Sequence, residues 1–268
     1  MNMHNFCGID IGCTNIKMLA IANKIVIKRT VPSGDNLSRK ELINIIKSFC
    51  TSYKVHFDGI GIAFSGCTKN EKKVYSTSLN CLQDLSADDF SDLSKNVFLI
   101  NDSNATTLAG TLQYPYAKVL VGITNGTGIG IGIAIDGKLF TGSNGLLGEI
   151  YGNPVILENS NTIKKMGQIV SGSKILKEIN RTNNPEIIHE AAKYLGTLLV
   201  QIIHFYNPNV IYFSGGGFSF EGFLDEAIIF AKQRCYPSFL EGLSFKQSVY
   251  GKYAGCIGAI KLVKEKIG

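Results

Sequence analysis

The chain has 268 residues, enough for two cores, and its 45% apolar content with periodic strands excludes a disordered protein. The formal charge of +6 is spread over predicted helices and turns, which suits an anionic small ligand and leaves no basic stripe for nucleic acid. Seven cysteines without a CxxC pair, no apolar run of membrane-spanning length and no signal-peptide profile at the N-terminus lead us to expect reduced thiols and a cytoplasmic location.

Residues 6–21, FCGIDIGCTNIKMLAI, read as an apolar strand that breaks at Gly12 and Thr14 and then returns to apolar alternation. Gly12 offers positive φ and close approach, Thr14 a hydroxyl and an amide, and Asp10 a carboxylate able to hold hydrated Mg²⁺. An ordinary hairpin turn would use the same residue types. Residues 5–58 read as strand, strand, helix. A strand at 60–63, a surface segment at 85–94 and a strand at 97–100 follow. VFLINDSNATTLAG, residues 97–110, places Asn101-Asp102 where that strand ends and a helix begins, so Asp102 also suits a helix N-cap.

Residues 119–152, VLVGITNGTGIGIGIAIDGKLFTGSNGLLGEIYG, carry most of the information. Thr124, Gly126, Thr127, Gly128 and Gly130 can form a nest of backbone N–H groups around phosphate oxygens. Ile129, Ile131, Ile133 and Ile135 then alternate with small residues up to Asp136-Gly137, a two-residue turn. The GxGxG string at Gly128, Gly130 and Gly132 therefore lies in a hairpin, whereas a dinucleotide fingerprint opens a helix. Glu149 closes the stretch and reads as a buried acid. An amphipathic helix follows at 186–206, then a buried strand at 210–213 that runs into Gly215-Gly216-Gly217, bare backbone against which a planar ligand can lie. Two phosphate-handling turns flanking a strand-end carboxylate is the layout of an ATP-dependent phosphotransferase.

With the stretches at 8–17, 60–66, 101–109, 122–150 and 209–217 and the closing YAGCIGAIKLV at 253–263, the chain resembles the ROK (repressor, open reading frame, kinase) family of sugar kinases in the actin/hexokinase superfamily. The resemblance implies an α/β, two-lobed fold of the duplicated ribonuclease H-like kind, with the active site in the cleft between lobes. It implies a first lobe over 1–113, on which a helix at 253–268 packs back, and a second over 114–252. Asp102 matches the family's catalytic base. Ser65, Gly66, Asn101 and Glu149 match its sugar contacts, and Asp10 its Mg²⁺-side carboxylate, acting through water. Gly12, Thr14, Lys17, Thr124, Gly126, Thr127 and Gly128 fall on the phosphate grips, and Gly215, Gly216 and Gly217 on the nucleotide side. ATP and Mg²⁺ are the implied cofactors and a sugar the implied partner, with neither nucleic acid nor membrane. A homodimer is compatible with the resemblance.

The departures from the family pattern shape the expectation. Zinc-containing members follow the Gly-Glu with a histidine and then three clustered cysteines, and residues 150–175 here hold neither residue type. Gly152 stands at the histidine position and Gly167 at that of a sugar-contacting glutamate, so a zinc-less protein is expected. Those glycines should leave the pocket near O1 and O2 of the sugar open. The expected substrate is a hexose or N-acetylhexosamine phosphorylated at the 6-hydroxyl, N-acetylmannosamine ahead of glucose, with a β-glucoside kinase or glucokinase as alternatives. Cys13 replaces the second glycine of the first turn, which an ordinary φ would tolerate. ROK repressors carry an N-terminal helix-turn-helix, for which the strand starting at Phe6 is expected to leave no room. A non-catalytic sugar sensor is the alternative from another class, set against the retained Asp102.

Overall fold

The computed structural model describes residues 4–34, 36–77, 79–157, 160 and 162–268. Its first sheet takes β1 (Phe6–Ile11), β2 (Asn15–Ala22), β3 (Ile25–Pro32), β4 (Gly59–Phe64) and β7 (Val97–Asn101), with helix α1 (Arg39–Thr51) and a small hairpin, β5 (Cys67–Lys69) and β6 (Lys73–Ser76), between them. Helix α2 (Asp102–Gln113) leads to the second sheet, which starts with β8 (Val119–Asn125), β9 (Ile129–Ile135) and β10 (Lys138–Leu139). After a hairpin of β11 (Pro154–Ile156) and β12 (Ile163–Lys165) come helices α3 (Gly167–Val170), α4 (Gly172–Thr182) and α5 (Glu186–Tyr206). Strand β13 (Val210–Ser214), helices α6 (Phe223–Lys232) and α7 (Pro237–Leu240), strand β14 (Ser244–Gln247) and helix α8 (Ala254–Ile267) complete the fold.

The two sheets repeat one plan. Their orders are β3-β2-β1-β4-β7 and β10-β9-β8-β13-β14, and in each the first three strands are antiparallel and the remaining pairings parallel. The turn closing β9 and β10 has Asp136 at φ 50° and Gly137 at φ 76°, the left-handed pair that matches strand twist in a two-residue hairpin. Asn23 (φ 51°) and Lys24 (φ 68°) close β2 and β3 in the same way. Strand β3 is absent from the sequence reading because Asn-Lys lacks the glycine that marks such a turn.

Strand alternation decides which helix covers which face. In β1, Cys7, Ile9 and Ile11 join the core under α1, built with Leu42, Ile46, Phe49 and Cys50. Helix α1 starts from a capping box between Ser38 and Glu41. The opposite face is stripped of bulk: Gly8 and Gly61 lie so close to α8 that a Cβ on either would stand 2.1 or 2.2 Å from a backbone carbonyl of Cys256 or Ala259. In the second sheet Val121, Ile123, Ile211 and Phe213 pack under α5 and α6, while a Cβ on Gly122 or Gly132 would meet Thr107 of α2 at 2.3 Å. Helices α2 and α8 thus lie between the sheets and cross at Gly258, where a Cβ would stand 1.6 Å from the Ala105 carbonyl. Residues 85–94, expected at the surface, instead bury Leu85, Phe90 and Ser94 through a short 3-10 turn at Ala87–Phe90. Among the described residues no helix is long and apolar enough to cross a membrane.

Candidate active site

The alternation that covers the first sheet also aims Asp10. It follows Gly8 on the α8 face of β1, is buried, and lies beside Gly255 in the first turn of α8. The β1–β2 register sets Lys17 directly opposite, and the two form an ion pair at 2.8 Å. Burial works against the charge of Lys17, but the Asp10 carboxylate outweighs it and raises the ammonium's pKa. The turn between them differs from expectation in one respect. Gly12 does not use left-handed φ; it allows close approach, its amide donating to the Asn15 carbonyl at 3.0 Å. Cys13 has no positive φ either, so the substitution costs no backbone strain. Thr14 is exposed, and its carbonyl accepts from Ser33 N–H at 3.0 Å.

At the end of β7 the N-cap is Asn101, not Asp102. The Asn101 Oδ1 accepts from the amides of Ser103 at 2.9 Å and Asn104 at 3.0 Å, leaving Asp102 as the first residue of α2. Asn101 Nδ2 donates to the Gly66 carbonyl at 3.1 Å and to Glu149 Oε1 at 3.2 Å, so one side chain ties together three segments of the expected sugar side. Ser65 is fixed through its carbonyl by Thr77 Oγ1 at 2.9 Å, and Gly66 takes a φ of 143° that favours glycine. Glu149 is exposed, contrary to its reading as a buried acid, because it sits on the loop before a 3-10 turn; the Cys67 thiol also donates to it at 3.7 Å. Burial, then the Glu149 carboxylate, pushes the Cys67 thiol up to about 11.

Asp102 joins these halves. It stands one turn before Thr106 on the same face of α2, and Thr106 lines the inter-lobe cleft with Asp10 and Lys17. Its pKa is raised to about 7, chiefly by burial and then by the charge of Asp10, with Glu149 adding to it; the hydrogen bond from the Ser103 amide and the charge of Lys17 oppose the shift.

On the far wall of this cleft of about 410 Å³ lie Thr124, Gly215 and Gly216. Thr124 repeats in β8 the place of Asp10 in β1, two residues after the glycine that admits a helix, and its Oγ1 is buried without a hydrogen-bond partner. Gly215, at φ 110°, backs onto the Asn125 carbonyl, where a Cβ would stand 2.1 Å away, and Gly217 backs onto the Asn125 side chain. Gly126, Thr127 and Gly128 form the β8–β9 turn, and the Gly126 amide is committed to the Gly128 carbonyl at 2.9 Å. Gly130 lies against Ser103 of α2 and is a packing position. The sequence reading missed Asn125, Gln247, Ser248 and Lys252. The last three line the cleft from the end of β14 and the 3-10 turn just after it, short elements with no periodic signal, and Asn125 is an interior polar residue whose role appears only once the chain is folded.

Gly152 and Gly167 part company. A Cβ at Gly152 would meet nothing within 4 Å, whereas at Gly167 it would stand 1.9 Å from the Tyr151 ring. The space expected to be open at Gly167 is filled by that ring.

Sheet order, helix placement and a two-sided cleft define an actin/hexokinase-like fold of mixed α/β class. The chain belongs to the ROK family, whose profile matches residues 6–160 and 156–266. The N-acetylgalactosamine kinase AgaK of Shewanella sp. (strain ANA-3) is 25% identical over 305 aligned residues, covering 96% of both chains. A glucokinase of Halalkalibacterium halodurans is 26% identical, covering 97% of this chain and 95% of its own. The xylose repressor of Staphylococcus xylosus is 26% identical over 200 residues, and the match spans about half (51%) of its length. Among solved structures, a ROK family protein of Streptococcus pneumoniae in complex with sucrose superposes with a TM-score of 0.79 at 20% identity, covering 98% of this chain and 99% of the other. A ROK family glucokinase of Streptomyces griseus in complex with glucose and AMPPNP gives 0.74 at 18% identity, covering 97% and 99%.

Proposed function

We propose that the chain is an ATP-dependent carbohydrate kinase that phosphorylates a hexose or N-acetylhexosamine, at the 6-hydroxyl, with Asp102 as general base. One observation carries this reading: with Asn101 at the N-cap, the Asp102 carboxyl at the cleft has a pKa raised to about 7 by burial and the charge of Asp10, matched to accepting a proton near neutrality. As the sugar oxygen bonds to the γ-phosphorus its proton passes to the Asp102 carboxylate, and the bond to the ADP oxygen breaks. Such a transfer depends mainly on positioning and charge, so a carboxylate suffices as base. Ser65, Gly66, Asn101 and Glu149 hold the sugar, Lys17 supplies a point charge for phosphate, and Gly12, Thr14, Thr124, Thr127, Gly128 and the 215–217 turn receive the nucleotide. The AMPPNP bound by the Streptomyces relative supports ATP as the donor class.

Asp10 fits a hydrated Mg²⁺. One of its oxygens is taken by Lys17, the other is left for a water-held cation, and Mg²⁺ beside nucleotide phosphates needs only one or two carboxylates. When bound, the ion would neutralise charge on the phosphates. A zinc-less, cytoplasmic enzyme with the lobes divided at 113/114 belongs to the same reading.

The named activities of AgaK and the glucokinase support an N-acetylhexosamine or glucose as acceptor. We keep N-acetylmannosamine ahead of glucose because the space beside Gly152 is free, while Tyr151 replaces a charged partner near Gly167 with a ring. A sugar sensor is the second reading, favoured by the partial match to a repressor. Coupled ADP release across glucose, N-acetylmannosamine, N-acetylgalactosamine and a β-glucoside tests the proposal. Turnover of at least one hexose is expected, with an N-acetylated sugar accepted at least as well as glucose. No release with any sugar would sink the kinase reading. A preference for glucose above about a hundredfold, ~2.7 kcal/mol in transition-state binding, would sink the choice of sugar.

A further inference from the structure

Helix α4 has no cap of its own. Ser171, at the N-cap position, makes no capping bond, and its hydroxyl donates to the Gly167 carbonyl at 2.6 Å. The first amides of the helix are taken by the β8–β9 turn. Gly172 N–H donates to Asn125 Oδ1 at 2.8 Å and Ser173 N–H to the Gly126 carbonyl at 3.1 Å. Ser173 reaches further, its Oγ donating to the Thr127 carbonyl at 2.7 Å.

Two successive carbonyls of the turn are therefore fixed toward α4. The described residues include no cis peptide, and in a trans peptide the C=O and the following N–H point to opposite sides. With the Gly126 and Thr127 carbonyls held by Ser173, the N–H groups of Thr127 and Gly128 point away from α4, and no described hydrogen bond of the fold takes either. Asn125 fixes the base of the turn: it is fully buried, and its Nδ2 donates to the Val170 carbonyl at 2.9 Å.

We propose that Ser173 is a positioning residue for the anionic nucleotide, presenting the Thr127 and Gly128 amides as a pair of donors to phosphate oxygens while touching no ligand itself. This rests on the ATP-dependent reading above. Equilibrium titration of the purified protein with MgATP tests it, using variants that differ in shape and in hydroxyl. Ser173→Ala and Ser173→Val should each bind MgATP roughly three- to tenfold more weakly, the effect of one lost hydrogen bond. Ser173→Thr, which has the shape of valine and keeps the hydroxyl, should bind within about twofold of the parent. A general structural role would not separate threonine from valine in this way, nor leave the sugar KM unmoved while the ATP affinity falls. MgATP affinity equal in the Thr and Val variants would overturn the proposal, as would equal losses for ATP and sugar. If the parent binds MgATP but phosphorylates no hexose, the kinase reading fails and the affinities still decide on Ser173. If it binds no MgATP, both fall.

Discussion

At the scale of single residues, the chemistry turns on which of two neighbours caps α2. Asn101 takes that place; Asp102 Oδ1 accepts from the Ser103 amide at 2.8 Å, and the carboxyl still keeps its proton up to a pH of about 7. Asp102→Asn should lower turnover by about 10²- to 10⁴-fold, since an amide cannot take the proton. In the parent, kcat/KM should rise with pH and level off above about 7, where the carboxylate is charged. Stability should run the other way. The folded chain holds this proton more tightly than the unfolded chain, whose ordinary value is 3.8. The resulting stability is fully present below that value and lost as pH rises through about 7, for a total of ~4 kcal/mol. Asp102→Asn carries no such loss. In urea titrations it should be more stable than the parent at pH 8, with the advantage gone by pH 4. An advantage equal at both pH values would show that the carboxyl is not held in a destabilising site.

At the scale of elements, close approach governs. Helix α2 is buried although it is rich in Ser and Thr, because Thr107 and Thr111 turn their hydroxyls onto carbonyls of their own helix, at 2.7 and 2.8 Å. Gly258→Ala should destabilise the protein by about 1–3 kcal/mol, because its Cβ would enter the Ala105 carbonyl and drive α2 and α8 apart. Gly152→Ala, in open space, should stay within about 0.5 kcal/mol of the parent in the same denaturation assay. Periodicity made the strands and the long helix α5 legible in the sequence, with the 186–206 bounds matching those of the structure. It failed where burial comes without regular alternation. The 3-10 turn that buries Leu85 and Phe90 has no period to detect, and β3 presents mostly exposed or half-buried side chains at a sheet edge.

At the scale of the whole molecule, the duplicated sheets, the family and the strand-turn-strand unit around Asp10 and Gly12 were legible because each is carried by contiguous motifs. The assembly of Gly66, Asn101 and Glu149 through one amide was not, since it joins three segments far apart in the chain. Nor was the Tyr151 ring over Gly167, where a glycine in the sequence suggested space that a neighbour fills. Metal content is a property of the whole chain. Elemental analysis of the purified protein should find no stoichiometric zinc, because residues 150–175 supply neither Cys nor His for a closed tetrahedral site. A zinc signal removed by chelation together with thermal stability would show that the scattered cysteines form a site after all.

The crossed placement of α2 and α8 has a consequence for how the protein is made. The first sheet is complete in sequence by Asn101, yet its Gly8 and Gly61 face is covered by a helix that starts at Ala254. As the ribosome delivers the chain, α2 can cover only the Ala63 and Ile100 part of that face, and the stretch around Gly8 and Gly61 lacks its native cover until the last strand of the other sheet has already emerged. The first half must therefore wait, half-built, through most of translation, and a nascent chain stalled before residue 254 should stay protease-sensitive and bind chaperones, maturing only when α8 is released.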